Sequence, residues 1–493
     1  MNNGYLKVAA AMPQIYVGGI FQNTQNIKKM IMDLNAQCVD IALFPEMCLY
    51  GASQSPLAAQ NALITECEEA LLEIAQYTKN RQVLCAIGLP LRVEEKILNC
   101  VAVVGMGKIW CVIYKSNYKL NFDQITLGDY SIPFSARAIM RCNSDLPVNI
   151  AINIGKDLDF FCNTSANIIL NPFSADLGQF DNYFDQIKNL SQSPPKAIIS
   201  ASGAIYKTPY AEKSCVIAEC GKILSVSVDQ PIATAELDIE RIAGLRTLAN
   251  NTFFLTGKTF ENAFIELPLE KDTHFVRKRK YSRQPYTDDN FEKIYKRLIQ
   301  ILYELIANTK KKVALRQGEH FWLLLSLLLD TRQNYSVSPS LVTLLLDEPQ
   351  EQDLIIKNSG FNIQLISQDK SQNIKNAYVL DWAQKNNSLI LNGMDRTDYI
   401  RHKNHNINCV NPLINFNKTA LMAMLRQRRK YDYGWSRILE QNQPSLDDII
   451  IDFFIYHHID CGLSAQKTKQ IAYETFEDIK KTQDLWDEFV VTI

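Results

Sequence analysis

The sequence predicts a two-part α/β protein: a layered sandwich with mixed sheets, followed by a domain built on a parallel sheet. Three observations lead there. Apolar strands and amphipathic helices alternate from the start of the chain. Strand pairs joined by short glycine-containing turns follow, and beyond residue 290 the pattern becomes a regular β/α repeat. A length of 493 residues fits two or three domains of about 100–200 residues each.

Residues 1–262 form the first part. Leu6–Met12 reads as a short apolar strand. Ile27, Met30, Ile31 and Leu34 then recur at the spacing of one helix face. Val39–Phe44 is a buried strand ending at Pro45. Leu63, Cys67, Ala70, Leu71 and Ile74 make a second helical stripe, followed by the strand Val83–Gly88. Asn99–Val104 and Ile109–Tyr114 flank Gly105-Met106-Gly107 as a hairpin. Further strands are expected at Val148–Ile154, Ile168–Asn171, Ala197–Ala201, Ser214–Ala218 and Ile223–Val228, the last two joined through Cys220-Gly221.

Residues 263–290 carry Pro268, Gln284-Pro285 and the basic run Arg277-Lys278-Arg279-Lys280, and read as a linker whose charges are solvated. Residues 291–493 form the second part. Ile294, Leu298, Ile301, Leu302 and Leu305 mark the face of its first helix. Strands at Val313–Leu315, Leu341–Leu346, Ile363–Ile366 and Ser388–Asn392 alternate with helices at Phe321–Leu329 and Asn376–Gln384. The C-terminus is expected to be helical over Asp447–His458 and Ser464–Lys481.

Composition excludes several classes. Lys+Arg total 52 and Asp+Glu 53, so the net charge of -1 gives no electrostatic footprint for nucleic acid. No run approaches the roughly 18 apolar residues of a membrane span, and no targeting segment is evident, so a soluble, cytoplasmic protein is expected. The twelve cysteines are scattered, with no CxxC pair. They are expected to be reduced and mostly buried, and no metal site is expected. His457-His458 is not a ligand pair, because adjacent helical residues point to different faces.

Phe44-Pro45-Glu46 places a carboxylate where a buried strand reaches the sheet edge, a position suited to general-base work. Lys115 follows the strand Ile109–Tyr114, and Val148–Ile154 ends at a turn. In this order the segments resemble the nitrilase superfamily over most of residues 5–262. Gly18-Gly19-Ile20, Asn23 and Asn26-Ile27 look like its early GD-x-x-x-N segment, with Gly19 in place of the aspartate. Ile168-Ile169-Leu170-Asn171 resembles its IILN strand. Glu236–Arg241, continuing through Arg246 to Phe253, is similar to the end of the glutaminase domain of glutamine-dependent NAD synthetases. The resemblance implies a Glu–Lys–Cys set in which the carboxylate deprotonates the thiol, the thiolate attacks the amide and the ammonium stabilises the oxyanion. Glu46 and Lys115 match the first two positions. The frame Ala151-Ile152-Asn153-Ile154-Gly155-Lys156-Asp157-Leu158-Asp159 puts Gly155 at the third, where no nucleophile exists. Cys48 and Cys162 are the nearest thiols that could replace it.

The second part is similar to the synthetase domain of the same family. Pro444–Ser464 looks like its HDFFLYYFLRYGFSP segment and Lys418-Thr419-Ala420-Leu421 like PKTLV. That family holds pyrophosphate in a strand–SGGxDS–helix loop, using close backbone approach and a helix N-terminus. Here the strand Val313–Leu315 is followed by Arg316-Gln317-Gly318-Glu319-His320-Phe321, in which only Gly318 matches. The family's TG-x-x-SE segment corresponds to Asn392–Asp398, with Asp398 standing in for the glutamate.

The resemblance therefore implies a nitrilase-like α/β/β/α sandwich followed by a Rossmann-like domain of the ATP-pyrophosphatase type. It also implies a catalytically degenerate relative: a pseudoenzyme without cofactor that acts as a regulatory or scaffolding subunit or binds a ligand. A homo- or hetero-oligomer is expected, with an active NAD synthetase as one candidate partner. The alternative is an active glutamine- or ammonia-dependent ligase, using ATP, magnesium and an NAD precursor, or an amidase with a relocated nucleophile.

Overall fold

A strand that is apolar at nearly every position must be covered on both faces, and the first strand, apolar but for Lys7, shows the result. In β1 (Tyr5–Ala11), Leu6, Val8 and Ala10 enter one core while Ala9 and Ala11 enter another. The structure, a computed structural model, describes residues 4–51, 61–115, 123–142, 146–155, 164–173, 183–203, 214–228, 230–250, 263–267, 277–286, 291–309, 311–347, 354–366, 372–402 and 409–492. The chain divides into two units, Met1–Arg279 with Cys461–Leu463, and Lys280–Asp460 with Ser464–Ile493.

The first unit continues with α1 (Ile20–Ala36), β2 (Ile41–Leu43), α2 (Asn61–Tyr77), β3 (Leu84–Val93), β4 (Lys96–Gly105) and β5 (Lys108–Tyr114). Then come β6 (Gln124–Leu127), β7 (Tyr130–Ser135), β8 (Ala138–Cys142), β9 (Val148–Ile152), β10 (Ile168–Phe173) and α3 (Tyr183–Gln192). The last elements are β11 (Ala197–Ser202), β12 (Ser214–Glu219), β13 (Lys222–Ser227), β14 (Ile232–Asp238), α4 (Ile239–Asn250) and β15 (Ala263–Leu267). They form two mixed sheets, ordered β14-β1-β2-β3-β4-β5-β7-β6 and β13-β12-β11-β10-β9-β8-β15.

The two expected helical stripes cover the outside of the first sheet. Ile27, Met30, Ile31 and Leu34 of α1, with Cys67, Leu71 and Ile74 of α2, pack on Ala9, Ala42, Cys85 and Ile87. The facing sides of the two sheets meet through Leu6, Val8, Leu43, Ile150, Ile168 and Ile199. Tyr183 and Ile187 of α3 cover the far side of the second sheet. The layers are thus α/β/β/α. Both expected hairpins are present, β4 with β5 and β12 with β13.

The linker expectation needs correction. Ala263–Leu267 lies inside that stretch, yet it is a strand of the second sheet, paired in parallel with β8 from Ala263↔Ala138 to Leu267↔Cys142. The basic run is not simply solvated either. Arg279 makes two bonds to the fully buried Glu219 carboxylate, at 2.9 and 2.7 Å, and Arg277 donates to the Tyr5 hydroxyl at 2.9 Å. Lys278 and Lys280 remain exposed. Extended backbone sends alternate side chains to opposite sides, so half of the run is anchored and half faces water. Further on, Tyr286 donates to Asp460 at 2.6 Å, and the same carboxylate takes both terminal nitrogens of Arg396.

The second unit opens with α5 (Phe291–Thr309), β16 (Lys312–Arg316), α6 (Phe321–Tyr335), β17 (Val342–Leu346) and α7 (Leu354–Ser359). Next are β18 (Asn362–Leu365), α8 (Gln372–Lys385), β19 (Ser388–Leu391), α9 (Arg396–His402) and β20 (Cys409–Val410). All its strand pairs are parallel, in the order β18-β17-β16-β19-β20. Helices α10 (Lys418–Arg429), α11 (Ser436–Gln441), α12 (Leu446–Phe454), α13 (Ala465–Thr475) and α14 (Ile479–Thr492) complete it. Val313 and Leu315 face α5, α6 and α10, whereas Ala314 faces α8.

Two helices differ from expectation. In α5 the buried face is Tyr295, Leu298, Ile299, Leu302 and Ile306, and Ile301 is 41% exposed. The face is rotated because the Tyr295 hydroxyl is drawn inward to Ser326 and Asp330. The expected helix Ser464–Lys481 is two helices. Phe476 turns extended to bury its ring against Phe453, and the Asp478 carboxylate accepts from Lys481 N–H at 3.0 Å to start α14. His457 and His458 diverge, the first ring onto Phe453 and the second onto Trp486.

Candidate functional site

Glu46 sits in the turn after β2, and that turn is pinned from several directions. Leu49 N–H donates to Gly88 O at 3.1 Å, and Gly51 N–H to Met47 O at 2.8 Å. Asn23 of α1, almost fully buried, donates to Leu49 O at 3.0 Å and to Tyr16 O at 2.8 Å. The asparagine of the early sequence segment therefore positions the turn that carries Glu46.

Lys115 follows β5, its own N–H donating to Asn99 O at 2.8 Å. Its ammonium donates to Glu46 Oε1 at 2.9 Å, and Asn99 Nδ2 donates to the same oxygen at 2.5 Å. The carboxylate is 6% exposed and the lysine side chain 38%, so the ammonium lies toward solvent and the carboxylate behind it.

Gly155 comes to this pair from the second sheet. A Cβ placed on it would lie 3.0 Å from Lys115 Nζ and 3.1 Å from Cε. Its φ is +102°, a conformation that residues with a side chain rarely adopt. Gly155 N–H donates to Pro172 O at 3.0 Å. Asn171 Nδ2 donates to Gly155 O at 2.6 Å and to Asn153 O at 2.8 Å, while Tyr183 donates to Asn171 Oδ1 at 2.6 Å. Asn171 is thus the anchor of the Gly155 turn. It was visible in the sequence only as part of an apolar strand motif.

The structure brings Glu46, Lys115 and Gly155 together, with Lys115 against both of the others. Cys48 is fully buried, donates to Gly88 O at 3.5 Å, and burial pushes its thiol up to about 12. A thiol so held is not ionised at neutral pH. Cys162 lies outside the described residues.

In the second unit the expected residues have separate partners. Arg316, at the end of β16, donates to Asn376 Oδ1 at 2.6 Å. Gly318 faces open space. Glu319 reaches Lys418, N to O 3.3 Å, and Lys418 also lies 3.5 Å from Asp448. His320, a loop residue to which the sequence assigned no role, is buried with Nε2 2.6 Å from Asp395 Oδ2. Asp395 Oδ1 in turn accepts from Asp398 N–H at 2.8 Å. Burial, then the neighbouring Asp395, raises the Asp398 carboxyl above the usual range. Burial pulls Lys418 down, but the carboxylates of Glu319, Asp448, Asp398 and Asp395 hold it above the ordinary lysine value. Asp452 beneath them accepts from Thr397 at 2.5 Å and from Thr419 N–H and Oγ1 at 2.8 and 2.6 Å. Gly393 is required where it stands, because a Cβ there would lie 1.7 Å from the Glu319 carbonyl oxygen.

A two-sheet α/β/β/α unit that joins Glu46, Lys115 and Gly155 is thus followed in one chain by a unit built on a parallel five-stranded sheet. No family model matches the chain. A glutamine-dependent NAD(+) synthetase of Aquifex aeolicus is 32% identical over 117 residues, 24% of this chain and 20% of that protein. That of Mycobacterium leprae is 23% identical over 172 residues, 32% of this chain and 25% of that protein. The matched stretches thus span a quarter or less of these relatives' lengths. Among solved structures, the glutamine-dependent NAD(+) synthetase from Cytophaga hutchinsonii aligns at TM-score 0.42 and 13% identity, covering 98% of this chain and 92% of that one. A Saccharomyces cerevisiae member of branch 10 of the nitrilase superfamily aligns at TM-score 0.40 and 14% identity, covering 52% and 96%. Over these stretches the chain is similar to glutamine-dependent NAD(+) synthetases. No helix among the described residues is long and apolar enough to cross a membrane.

Proposed function

We propose that this NAD synthetase-like chain is a pseudoenzyme that has lost both amide hydrolysis and adenylyl chemistry and acts by binding. The observation that carries the reading is Gly155: the position facing Glu46 and Lys115 has neither a side chain nor room for one without moving the lysine. A Glu–Lys pair can polarise a carbonyl or hold a carboxylate, but without a nucleophile it forms no acyl-enzyme. Loss of the nucleophile from such a set costs on the order of 10⁶ in rate in the subtilisin case.

The residues of the second unit do not fit a bound nucleotide triphosphate and its magnesium. The Glu319 carboxylate occupies Lys418, and the Glu319 backbone is packed on Gly393. Asp395 and Asp398 place two carboxyl groups beside the segment that would receive phosphates. The retained Glu46–Lys115 pair and the buried cores of both units favour a ligand-binding or scaffolding subunit, assembled with itself or with an active synthetase.

The test is to incubate purified protein with glutamine, ATP, magnesium and nicotinic acid adenine dinucleotide, and to follow glutamate and NAD. Neither product is expected above background. Turnover at roughly 1–1000 per second, the ordinary enzyme range, would overturn the reading. A strictly monomeric native mass, with no synthetase recovered alongside the chain from its own cell, would remove the subunit version and leave ligand binding.

A further inference from the structure

The helical side of the second unit contains a cavity that neither the Glu46–Lys115 pair nor the Arg316–Phe321 loop shares. It lies between α5 and α10 and has a volume of about 350 Å³. Its floor is apolar: Phe291, Tyr295, Ile299 and Met424, all buried. Lys296 from α5 and Arg428 from α10 line it from facing helices. Past Lys296, Ile299 and Asn334 it continues into a more open recess beside Lys293, Arg297 and Tyr335.

Arg428 is held in place from below. Its Nε donates to Asp330 Oδ2 at 2.9 Å, and its guanidinium lies 5.5 Å from the Tyr295 ring centre. Asp330 also receives Arg429 Nη2 at 2.5 Å and the Tyr295 hydroxyl at 2.9 Å. Asp330 thus serves both guanidinium groups, and Arg429 has a second carboxylate in Asp432 at 2.7 Å, so this cluster is balanced and the excess positive charge comes from the lining residues around it. Along both recesses the cations are Lys293, Lys296, Arg297 and Arg428, and Glu292, 2.7 Å from Lys296, is the opposing carboxylate. An arginine fixed through Nε presents its remaining N–H groups as a fork suited to carboxylate or phosphate oxygens.

We propose that this cavity binds an organic anion. A carboxylate or phosphate group sits between Arg428 and Lys296, and a ring-sized apolar body rests on the Phe291–Tyr295–Ile299–Met424 floor. Its volume is at the small end of ligand pockets, which suits one ring with its charged group.

Calorimetric titration of the full chain tests this with four probes: phenyl phosphate, benzoate, inorganic phosphate and benzyl alcohol. At least one of the two aryl anions is expected to bind, and which one does so identifies the head group. Binding should be about tenfold or more tighter than for benzyl alcohol and for inorganic phosphate, the worth of one charged hydrogen bond or one buried ring face. Arg428→Met and Lys296→Met should each weaken it by about tenfold. Lys296 is on the surface, so its variant keeps the fold, and Asp330 retains Arg429 in the other; melting curves confirm both. The proposal is overturned if neither aryl anion binds at millimolar concentration, if benzyl alcohol or inorganic phosphate binds as tightly, or if both variants match the parent.

Discussion

Lys115 Nζ stands 3.0 Å from the point where the Cβ of any side chain at position 155 would be, and 2.9 Å from Glu46 Oε1. The lysine tip therefore lies against the space that a nucleophile would enter, and the Gly155 backbone has a φ of +102° that suits glycine. Restoring a side chain demands adjustment of the lysine, the backbone or both.

Gly155→Cys should fold but lose about 1–3 kcal/mol, the usual cost of a side chain at such a φ, and Gly155→Ala should lose a similar amount. The new thiol lies beside an ammonium, which lowers a thiol pKa, so it should alkylate with iodoacetamide faster than a free cysteine. Thermal unfolding and peptide mass mapping check both. A folded Gly155→Cys variant whose thiol does not react would show that this is not the nucleophile position.

Lys115→Met leaves the Glu46 carboxylate with Asn99 as its donor. A fully buried pair broken in this way costs 3–5 kcal/mol, but the partly exposed lysine is screened, so about 1–3 kcal/mol is expected. Glu46→Gln should cost less, because its amide oxygen still accepts from Asn99. In urea titrations the double variant should be more stable than the sum of the two single losses implies; strict additivity would mean that the two groups are not coupled.

Asp452 gives the second unit a defined pH dependence. Burial raises its carboxyl to about 6 from 3.8, against the Thr397 and Thr419 donors that pull it down. The folded state therefore binds this proton more tightly than the unfolded state. Stability from this group is greatest below pH 3.8, falls as pH rises through about 6, and the loss persists at neutral pH. The full difference is on the order of 3 kcal/mol. Asp452→Asn should remove this contribution to the slope of the urea midpoint across that window. An unchanged slope would assign the proton elsewhere.

Arg279→Met should destabilise the first unit by about 3 kcal/mol, since it removes two bonds from a fully buried carboxylate. Lys278→Met, one residue away and exposed, should change it by less than about 0.5 kcal/mol. Equal effects in denaturant titration would return the basic run to a solvated linker.

Gly393→Ala meets the backbone of Glu319, which has no flexible end to move aside. A loss above about 4 kcal/mol is expected, in the range reserved for severe core defects. Limited proteolysis should show earlier cleavage around residues 316–321. A variant that melts with the parent would mean that the loop stands off from β19.

Much of the fold could be read from periodicity. The α1 and α2 stripes, the two hairpins and the parallel strands of the second unit all rest on local spacing, and the structure places them where that spacing indicates. The elements missed include a short, partly exposed hairpin, β6 with β7. Others are of another kind: β14 matches β1 residue for residue from Tyr5↔Asp238 to Ala11↔Ile232, and β15 pairs with β8, so both are defined by partners more than 100 residues away. The α5 stripe was displaced because a tyrosine hydroxyl, which hydropathy scores as polar, is the group pulled inward.

By itself the sequence determined the two-part α/β plan, the Glu46 and Lys115 positions and the absence of a thiol at Gly155, because residue identity and spacing are local facts. Only the tertiary structure decided that Glu46 and Lys115 form a pair and that Asn23 and Asn171 fix the turns around them. It also decided that Glu319 answers Lys418, that the basic run is half buried, and that Arg428 and Lys296 face one another across a cavity. Each of these depends on which strand ends and helix faces meet, and a hydrogen bond between residues far apart in the chain leaves no periodic trace in the sequence.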